Sequence, residues 1–518
     1  MGGNGRKRPH NGRSRSPSSR VLPFKKPQFA TPPSSKSPPP RRAPDRQPGA
    51  PNSNPSRPGF ASYLDPPNLP PKIKILCEII ATTHSLSVER VLDHSISGLP
   101  VTQEDVEQVL KLSYGFPGSA VKFFRWSARL LCGDHSPYAW NLVVDMLGKN
   151  ELFDAMWDAI KSMHKERLLS LATLASVFSS YVIAGRVHEA IMTFDVMHQY
   201  GVPRDIVALN SLLSAICREG KVVDAVEFLQ IAKQRIRPDP DSYAILLEGC
   251  EKEGNTGVAK LVFSDMVAEI GWDPSNLPAY NSLLCTLIRG PDGVREAVKY
   301  FETMGEHRCY PSMKFFREAL DDCLKRSDSK GAEFFWGAMM EKVRLRPDTE
   351  MYNLMIAMYC HQNEIELAKR LLDEMICNGA FPDDQTYNVL LEFLIKCRKL
   401  VDASIIFSEM IKNECSPSLD NCQAAIRVFL DTENSTVALK VWKWTVENYK
   451  EELEDTANLL IVRLRDMDRL PEAVKYAKDI IDRKIKLNSS TLSKLKESLT
   501  KAGKDQVYDE ILWKWKFR

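Results

Sequence analysis

The sequence predicts an all-α fold, a right-handed α-solenoid of about ten helix–turn–helix repeats of ~35 residues each. Three observations support this fold class. The chain resembles itself at a nearly constant interval, apolar residues inside each interval recur at helical spacing, and prolines stand at nearly the same phase of each interval. No strand-like alternation of apolar and polar residues competes with this pattern. Because a hairpin of two helices cannot bury both of its faces alone, neighbouring hairpins are expected to stack.

The repeat interval is measured from one residue, often asparagine, that opens an apolar helix and that we call the anchor. From about residue 135 onward, neighbouring anchors are 34 to 37 residues apart. Most repeats also have an alanine fifteen positions after the anchor, and a bulky apolar residue, frequently Met, about seven residues later. The anchors are Asn141, Ala175, Asn210, Ala244, Asn281, Arg317, Asn353, Asn388, Gln423, Asn458 and Ser493. The alanines are Ala190, Ala225, Ala259, Ala332, Ala368, Ala403, Ala438 and Ala473.

The repeat anchored at Asn388 shows the expected hairpin most clearly. Its apolar pattern predicts a first helix over residues 386–394, a turn at 396–399 and a second helix over 403–410. The second helix is expected to end at Pro417, since proline cannot continue a helix. Other repeats have a helix-stopping glycine in the turn, namely Gly185, Gly220 and Gly254.

The positive charge of the chain is concentrated at its N-terminus. The 518-residue chain carries a net charge of only +3, and its 43% hydrophobic and 26% charged residues are ordinary globular values. Residues 1–44 contain eleven cations and no acid, so the remainder of the chain is slightly acidic. Any binding of a polyanion by the repeats must therefore come from the local arrangement of cations. The eleven cations are Arg6, Lys7, Arg8, Arg13, Arg15, Arg20, Lys25, Lys26, Lys36, Arg41 and Arg42.

Two segments identify the type of repeat. Residues 351–356 (MYNLMI) follow an Arg-Pro-Asp triplet at 346–348, and residues 386–391 (TYNVLL) follow Phe-Pro-Asp at 381–383. Together with the exit segment CNGAFPD at 377–383, they resemble the pentatricopeptide repeat, in which a Pro-Asp pair precedes a TYN-L-I helix start. The W-x-x-L-G-x-x-Y pattern of the tetratricopeptide repeat does not recur. The resemblance covers roughly residues 135–500, and the single repeat length is similar to that of the P subclass.

The resemblance implies a mechanism of RNA recognition. Bases of a single strand are held one per repeat in a concave groove, and two side chains read each base edge. One is the anchor, and the other, the second reader, lies five residues before the next anchor. Asparagine suits the anchor because its amide both donates and accepts hydrogen bonds. The implied pairs are Asn141/Ser170, Ala175/Asp205, Asn210/Asp239, Ala244 with Ser275 or Asn276, Asn281/Ser312, Arg317/Asp348, Asn353/Asp383, Asn388/Ser418, Gln423/Leu453 and Asn458/Asn488.

In the family's code, Asn with Asp favours uracil and Asn with Ser favours cytosine, so pyrimidine-rich single-stranded RNA is the expected partner. The repeats anchored at Ala175, Ala244, Arg317 and Gln423 match no strong code pair. A single asparagine anchor has a simpler interpretation, a helix N-terminal residue that satisfies free backbone N–H groups. A protein-interaction scaffold is the alternative for the whole array, given its weak basicity and these four repeats. Cations lining the groove beside the anchors would favour RNA.

No motif points to an enzyme or a metal site. The chain has no P-loop, G-x-S-x-G or H-E-x-x-H motif, and none of its twelve cysteines forms a C-x-x-C pair that could hold zinc. We therefore expect reduced core cysteines and neither a catalytic residue, a metal nor a cofactor. The expected activity is binding of organelle transcripts, in their stabilisation, processing, splicing or translation, with other RNA-processing proteins as candidate partners.

The predicted domain organisation has four parts. Residues 1–58, rich in Pro, Ser and Arg, form a disordered basic targeting segment; 59–134 are N-terminal capping helices, as the resemblance implies; 135–492 are the repeat array; and 493–518 form a C-terminal capping helix. The acid-free N-terminus has no apolar core of a secretory signal and is typical of an organellar transit peptide. We predict a mitochondrial location, with plastid or nucleus as alternatives. No apolar run is long enough for membrane insertion.

Overall fold

The computed structural model describes residues 59–66, 68–95, 100–133 and 135–517. Within these residues all regular secondary structure is helical, which confirms the all-α prediction. The disordered targeting segment predicted for residues 1–58 lies outside the described residues. Across the described ranges, none of the helices combines the length and the apolar composition needed to cross a membrane.

Four helices precede the repeat array, in the region where capping helices are expected. They are α1 (Pro71–Thr82), α2 (Val88–Ser95), α3 (Gln103–Lys111) and α4 (Pro117–Leu130). The N-terminus of α3 has a capping box, in which the Thr102 side chain and that of Asp105 each accept a backbone N–H of the other residue. Helix α3 then packs on the first helix of the array, so the four helices continue the stack.

The array itself consists of eleven helical hairpins within the described residues. The first helices are α5 (Pro137–Lys149), α7 (Leu171–Ile183), α9 (Ile206–Arg218), α11 (Pro240–Glu253), α13 (Leu277–Arg289), α15 (Met313–Arg326), α17 (Thr349–His361), α19 (Asp384–Lys396), α21 (Leu419–Asp431), α23 (Glu454–Asp466) and α25 (Ser489–Lys501). The second helices are α6 (Phe153–Lys165), α8 (Val187–Val196), α10 (Val222–Ala232), α12 (Thr256–Ile270), α14 (Gly293–Glu306), α16 (Ser329–Gly337), α18 (Ile365–Cys377), α20 (Leu400–Lys412), α22 (Ser435–Asn448), α24 (Leu470–Asp482) and α26 (Asp505–Phe517). A 3₁₀ turn, Met197–Tyr200, extends α8, and a π-helical turn, Ala338–Val343, extends α16.

The turn inside most hairpins contains a left-handed residue ten positions after the anchor. Gly185, Gly220 and Gly254 adopt φ of 78°, 67° and 66°, as their expected helix-stopping role requires. In six other hairpins a non-glycine residue takes the same conformation, so composition alone did not mark those turns. The six are Glu151, Ser327, Asn363, Arg398, Glu433 and Asp468.

The first helices form one layer of the solenoid. Each contacts the first helices before and after it, from α5 to α25, and packs on the second helix of its own hairpin. The second helices contact one another far less. The side of the first-helix layer that faces away from the second helices is therefore a continuous surface along the array, which we call the first-helix face.

The buried positions repeat with the same period. The alanine fifteen positions after the anchor is fully buried in all eight repeats that have it. The bulky residue that follows is buried as well, as Met197, Met375 and Met410 show. One continuous apolar core runs from Ile73 to Ile511 through the stack. Each hairpin is thus stabilised by its neighbours, as expected for a repeat protein.

The C-terminal end of the array differs from the expectation of a single capping helix at 493–518. Residues 489–517 form two helices, α25 and α26, so an eleventh hairpin completes the stack. Helix α25 buries Leu492, Leu495 and Leu499, and the Trp515 indole donates a hydrogen bond to the Leu487 carbonyl at 3.0 Å. Trp515 stands 22 positions after Ser493, where other repeats have their bulky apolar residue, but Tyr508 replaces the alanine at fifteen, so the second helix was not predicted.

Candidate nucleic-acid interface

A cleft of about 800 Å³ opens on the first-helix face over the first repeats. Three consecutive anchors, Ala175, Asn210 and Ala244, line this cleft together with Asp239, the second reader that follows Asn210. All of its lining residues belong to first helices or to their N-caps. The anchors of neighbouring repeats therefore share one open surface, as the resemblance implies.

The second readers are helix N-caps. Each occupies the residue immediately before a first helix, and before α13 this residue is Asn276 rather than Ser275. In four of them the carboxylate accepts the backbone N–H three residues later at 2.8–3.0 Å, which satisfies a free N–H of the helix end. These four are Asp205, Asp239, Asp348 and Asp383.

The asparagine anchors are not capping residues. Asn388, for example, is the fifth residue of α19, which begins at Asp384 and not at Thr386 as the apolar pattern suggested. Asn210 and Asn353 hold the same place in α9 and α17. The interpretation of these asparagines as helix N-terminal caps is therefore wrong. The capping role belongs to the second readers, and the anchor amides are left to make other contacts.

Two anchor amides bind an aspartate second reader. Asn210 Nδ2 donates to Asp239 Oδ1 at 3.0 Å, and Asn353 Nδ2 donates to Asp383 Oδ1 at 3.1 Å. Each aspartate comes from the next hairpin, so the contact crosses from one repeat to its neighbour. Both amides are held in one orientation by a charge-assisted hydrogen bond.

The hydrogen bonds around the Asp383 carboxylate favour its ionised form and lower its pKa. Burial acts to raise the pKa of Asp383, but hydrogen bonds from the backbone N–H and hydroxyl of Thr386 and from the Asn353 amide outweigh it. The pKa of this carboxyl therefore lies below its ordinary value. The Asn353–Asp383 contact is accordingly present at neutral pH with the carboxylate charged.

Three other anchor amides meet a Ser or Asn second reader in a different way. The Oδ1 atoms of Asn281, Asn388 and Asn458 accept the backbone N–H of the second reader at 2.8, 2.7 and 2.9 Å. The Asn281 amide also donates to Ser312 Oγ at 2.9 Å. The pair Asn281/Ser312 is therefore linked through both the backbone and the side chain of its second reader.

The pair Asn388/Ser418 is linked through the backbone of its second reader. Ser418 meets its anchor only through its backbone N–H, because the Ser418 hydroxyl caps α21 and accepts the Asn421 backbone N–H at 3.2 Å. The Asn388 Nδ2 atom donates instead to the backbone carbonyls of Asp384 and Ser416, at 2.7 and 3.0 Å. Both N–H groups of this amide are thus used within the protein. The Ser418 hydroxyl is therefore an N-cap and makes no contact with the anchor amide.

The pair Asn458/Asn488 follows the same pattern. Asn488 Oδ1 accepts the Thr491 backbone N–H at 2.7 Å as the N-cap of α25. The Asn458 Nδ2 atom donates to the Glu454 carbonyl at 2.7 Å and to the Lys486 carbonyl at 3.3 Å. An aspartate second reader therefore engages the anchor amide nitrogen, whereas Ser418 and Asn488 leave that nitrogen to the backbone.

The remaining implied pairs are linked less directly. Asn141 and Ser170 share no hydrogen bond in the described part of the chain, and the hydroxyl of Thr173, which lies 3.4 Å from Ser170 Oγ, donates to Asn141 Oδ1 at 2.5 Å. Arg317 forms ion pairs with Asp348 and Glu350, the latter at 2.7 Å. The Asp348 carboxylate raises the pKa of the Arg317 guanidinium. The alanine anchors at 175 and 244 have no polar group to offer their second readers.

The pair Gln423/Leu453 is the least suited to base recognition. Gln423 Nε2 donates to the Glu452 backbone carbonyl at 2.8 Å, and Leu453 is only 2% exposed. A leucine side chain at the second-reader position has no hydrogen-bond donor or acceptor to offer a base edge.

A row of cations follows the anchors along the same helices. In six of the first eight repeats, the residue eight positions after the anchor is Lys or Arg, and all six are exposed. Lys149 and Arg218 line the cleft that contains the anchors, and Lys252 lines the cavity that adjoins it. The last turn of a helix favours cations because of the helix dipole. The six are Lys149, Arg218, Lys252, Arg289, Lys325 and Lys396.

Comparison with known proteins agrees with the repeat pattern. The model of the PPR repeat family matches residues 347–396, that of the pentatricopeptide repeat domain matches 192–253, and that of the PPR repeat matches 173–202 and 385–415. The chain belongs to the pentatricopeptide-repeat family.

Relatives of this pentatricopeptide-repeat chain include two Arabidopsis thaliana proteins named as mitochondrial pentatricopeptide repeat-containing proteins. One is 35% identical over 34% of this chain and 34% of its own length. The other is 25% identical over 72% of this chain and 64% of its own length. The chain spans about a third of the length of the first of these relatives. It is also similar to the crystal structure of PPR10, a maize protein, in complex with an 18-nt psaJ RNA element, with a TM-score of 0.48 and 18% identity over 86% of this chain and 69% of that chain.

The pentatricopeptide-repeat array also holds a cluster that resembles a metal site in composition. Ligand atoms of Glu251, Cys285 and Glu318 lie within 4.8 Å of one another on three neighbouring first helices. Arg289 lies 3.7 Å and Lys314 lies 3.6 Å from the Glu251 carboxylate, so cations already balance the acids. Burial raises the pKa of the Cys285 thiol, which keeps it protonated. We interpret this cluster as an ion-pair network between repeats.

Two features of this interface were not predicted from the sequence. The first is the cation row, which the sequence already shows as a Lys or Arg eight positions after the anchor in six of the first eight repeats. Hydroxyl groups at the third residue of several first helices contact the anchor of the preceding repeat, as Thr173, Ser242 and Thr386 do. These residues stand two positions before an anchor, where the PPR signature has its Thr, and by type alone they do not differ from ordinary helix-start residues.

Proposed function

We propose that this pentatricopeptide-repeat protein binds single-stranded RNA along the first-helix face, one base per repeat, and acts by binding rather than by catalysis. One observation carries the proposal: six asparagine anchors stand at the repeat interval on one face, and each is fixed by hydrogen bonds to the hairpin that follows. Five of them contact their second reader directly, through its side chain or its backbone N–H. The sixth, Asn141, is fixed through Thr173.

An asparagine amide is suited to a base edge because it presents a donor and an acceptor side by side. Bases of a flexible single strand can leave their stack and present such edges, which a paired duplex does not. In the pairs Asn210/Asp239 and Asn353/Asp383, the amide nitrogen uses one of its two N–H groups within the described part of the chain. Its second N–H has no partner among the described residues, and we propose that it donates to a carbonyl oxygen of uracil, at the half-buried Asn210 and through the small part of Asn353 (3%) that is exposed.

The cation row favours RNA over the protein-scaffold alternative. A bound strand places phosphates at regular intervals, and the six exposed cations recur at the interval of the repeats that hold the bases. Some of these cations pair with exposed acids on their own helix, as Lys325 does with Asp321 at 2.5 Å. Exposed pairs of this kind contribute only about 0.3–0.5 kcal/mol, so phosphates can compete for the cations.

The proposed register follows from the pairs. With the N-terminal repeat at the 5′ end, the array reads C-x-U-x-C-x-U-C-x-Y, where x marks a position with no strong preference and Y is either pyrimidine. The Asn353/Asp383 unit is the sharpest, and the cytosine opposite Asn388 and Ser418 rests on the residue types of that pair, since its amide N–H groups are already bonded. The positions marked x belong to Ala175/Asp205, Ala244/Asn276, Arg317/Asp348 and Gln423/Leu453.

The biological role that fits this activity is organellar RNA metabolism. A protein that covers a single strand shields it from nucleases and prevents it from pairing. The mitochondrial names of the relatives and the acid-free N-terminus of this chain support a mitochondrial location for a protein of the P subclass. A fluorescent fusion of residues 1–70 tests the location, and accumulation in the plastid or the nucleus would contradict it.

Binding is tested with the full-length chain and a fluorescent ten-nucleotide RNA in the proposed register. We expect tighter binding to this RNA than to a purine-substituted strand or to the same sequence in a duplex. The double variant Asn210→Ala with Asn353→Ala should weaken binding to the pyrimidine strand. Asn448→Ala is the matched control and should leave binding unchanged, because Asn448 lies on the second helix α22 and its amide donates to a carbonyl of that helix. Equal affinity for single-stranded and duplex RNA, or no binding, would contradict the proposal.

A further inference from the structure

Two buried hydroxyl groups connect an anchor to its second reader. Ser242 and Thr386 are the third residues of α11 and α19, and both are 0% exposed. Ser242 Oγ donates to Asn210 Oδ1 at 2.6 Å, and Thr386 Oγ1 donates to Asn353 Oδ1 at 2.6 Å. Because the hydroxyls are buried, water does not compete for them, and their partners are the groups of the protein around them.

Each hydroxyl also touches the aspartate second reader. Ser242 Oγ lies 2.9 Å from Asp239 Oδ1, and Thr386 Oγ1 lies 2.8 Å from Asp383 Oδ1, so the single hydroxyl proton is shared between the amide oxygen and the carboxylate. The backbone N–H of the same aspartate donates to the hydroxyl at 3.3 and 3.1 Å. Anchor amide, aspartate and hydroxyl therefore form a closed triangle in which every pair is in contact.

The triangle permits only one orientation of the anchor amide. The amide nitrogen faces the carboxylate, which accepts, and the amide oxygen faces the hydroxyl, which donates. A flipped amide would put its oxygen against the carboxylate, where two acceptors repel, and its nitrogen against a hydroxyl whose proton would have to turn away. The aspartate thus fixes the nitrogen side of the amide, and the hydroxyl fixes the oxygen side.

We propose that Ser242 and Thr386 are positioning residues for base recognition, which rests on the RNA-binding function proposed above. Each holds the amide of Asn210 or Asn353 so that its remaining N–H and its remaining oxygen lone pair meet the base in a single orientation. A reading unit of this type therefore has three residues, two of which come from the next hairpin. The residue two positions before the next anchor sets how sharply the base is discriminated.

The repeat anchored at Asn458 supplies a natural contrast. Thr491 holds the place equivalent to Thr386 in α25 and is also buried, at 3% exposure. Among the described residues its hydroxyl makes no hydrogen bond to Asn458, whose Oδ1 accepts the Asn488 backbone N–H at 2.9 Å. A buried threonine at this helical position is therefore part of the reading unit only where it touches the anchor.

The experiment compares Thr386→Val, Thr386→Ser and Thr491→Val in the full-length chain. Valine keeps the shape of threonine and removes the hydroxyl, whereas serine keeps the hydroxyl. Each protein is titrated with ten-nucleotide RNAs in the proposed register that carry U or C at the seventh position, which faces Asn353. A second set varies the tenth position, which faces Asn458. The readout is the ratio of the two Kd values, in which any loss of folded protein cancels.

Thr386→Val is expected to reduce the preference for U over C at the seventh position by roughly tenfold, since a well-oriented contact supplies discrimination of that order. Thr386→Ser should restore the wild-type ratio, and Thr491→Val should leave the ratio at the tenth position within about twofold. Ser242→Ala, read at the third position, repeats the test in a second hairpin if Thr386→Val does not fold.

The proposal is wrong if Thr386→Val and Ser242→Ala weaken U and C equally, because the hydroxyls would then serve only to cap their helices. It is also wrong if Thr386→Ser loses the ratio. In these outcomes the wild-type chain still binds RNA, so the proposed function is unaffected. If instead the wild-type chain binds none of the RNAs, the proposed function and this further proposal are both wrong.

Discussion

The first eight hairpins and the last three share one backbone and differ in the chemistry of the first-helix face. Both regions keep the repeat interval and the buried alanine, as Ala403 in the first region and Ala438 in the second show. Eight positions after the anchor, however, the first region has mostly cations, while the repeats anchored at Gln423 and Asn458 have Asp431 and Asp466. Only the eleventh hairpin returns to a cation, at residue 501.

The last region also carries acids around the pair Gln423/Leu453. A cleft of about 670 Å³ beside Gln423 is lined by four exposed carboxylates and by three exposed cations, Lys450, Arg483 and Lys484, so its net charge is only slightly negative. The four are Glu451, Glu452, Glu454 and Asp455. Core positions thus build the solenoid, and the charge of its first-helix face varies independently of them. We therefore expect RNA affinity to lie mainly in the first eight hairpins.

The largest expected effect comes from removing cations of the first region. The triple variant Lys149→Gln, Arg218→Gln and Lys252→Gln should weaken binding to every single-stranded RNA and reduce the slope of log K against log salt by about 2. Anisotropy titrations over a series of salt concentrations measure this slope. The matched control neutralises three exposed lysines of second helices, at 440, 443 and 475. An equal loss in that control would show that net charge, and not the row, controls binding.

The next effect is confined to one base. Asn353→Thr should shift the preference at the seventh position from uracil toward guanine and leave the other positions alone, since the amide no longer faces the uracil edge. A matched base contact is worth roughly 1–3 kcal/mol, so competition binding resolves the shift. Gln423→Thr, in the last region, is the control and should change no preference. If Asn353→Thr changes the affinity for all sequences equally, Asn353 is a packing residue.

The features that recur with the repeat interval could be predicted from the sequence. The anchors, the buried alanines and the glycine turns recur at fixed positions, so the all-α stack and the residues brought together in pairs such as Asn353/Asp383 were recognisable. The sequence could not show which atom of each amide faces which partner. Asn353 and Asn388 have the same residue type at the same place, yet their Nδ2 atoms bind a carboxylate in one case and backbone carbonyls in the other. The choice depends on the N-cap of the following hairpin, where Ser418 offers the anchor only its backbone N–H.

A smaller effect is expected from neutralising acids of the last region. The double variant Asp431→Asn and Asp466→Asn removes two carboxylates and releases Arg463, which pairs with Asp431 at 2.6 Å. Affinity for RNA should rise by about two- to fivefold at low salt, and the gain should vanish at high salt as charges are screened. The same titrations report it. A gain that persists at high salt would contradict an electrostatic cause.

The smallest effect is a dependence of stability on pH. The pKa of Asp383 is lower in the folded chain than its ordinary value. The contribution of Asp383 to the free energy of unfolding is therefore fully present above about pH 4 and is lost as the pH falls through the folded pKa. The difference in Tm between the wild-type chain and Asp383→Asn should therefore be constant from neutral pH to about pH 5 and shrink below about pH 4. Asn488→Ala removes a non-titrating N-cap of the last region, and its effect should not vary with pH. A difference for Asp383→Asn that is independent of pH down to about pH 2 would contradict the assignment.

The most direct test of the comparison between the two regions is a truncation series of the ten-nucleotide RNA, measured by anisotropy with the full-length chain. We expect removal of the two 3′ nucleotides, which face Gln423 and Asn458, to change Kd by less than about threefold. Further removal, up to and including the nucleotide that faces Asn353, should then weaken binding by at least roughly tenfold, as expected for a base held by stacking and hydrogen bonds. Equal losses for every nucleotide removed, or the largest loss at the 3′ end, would contradict the account.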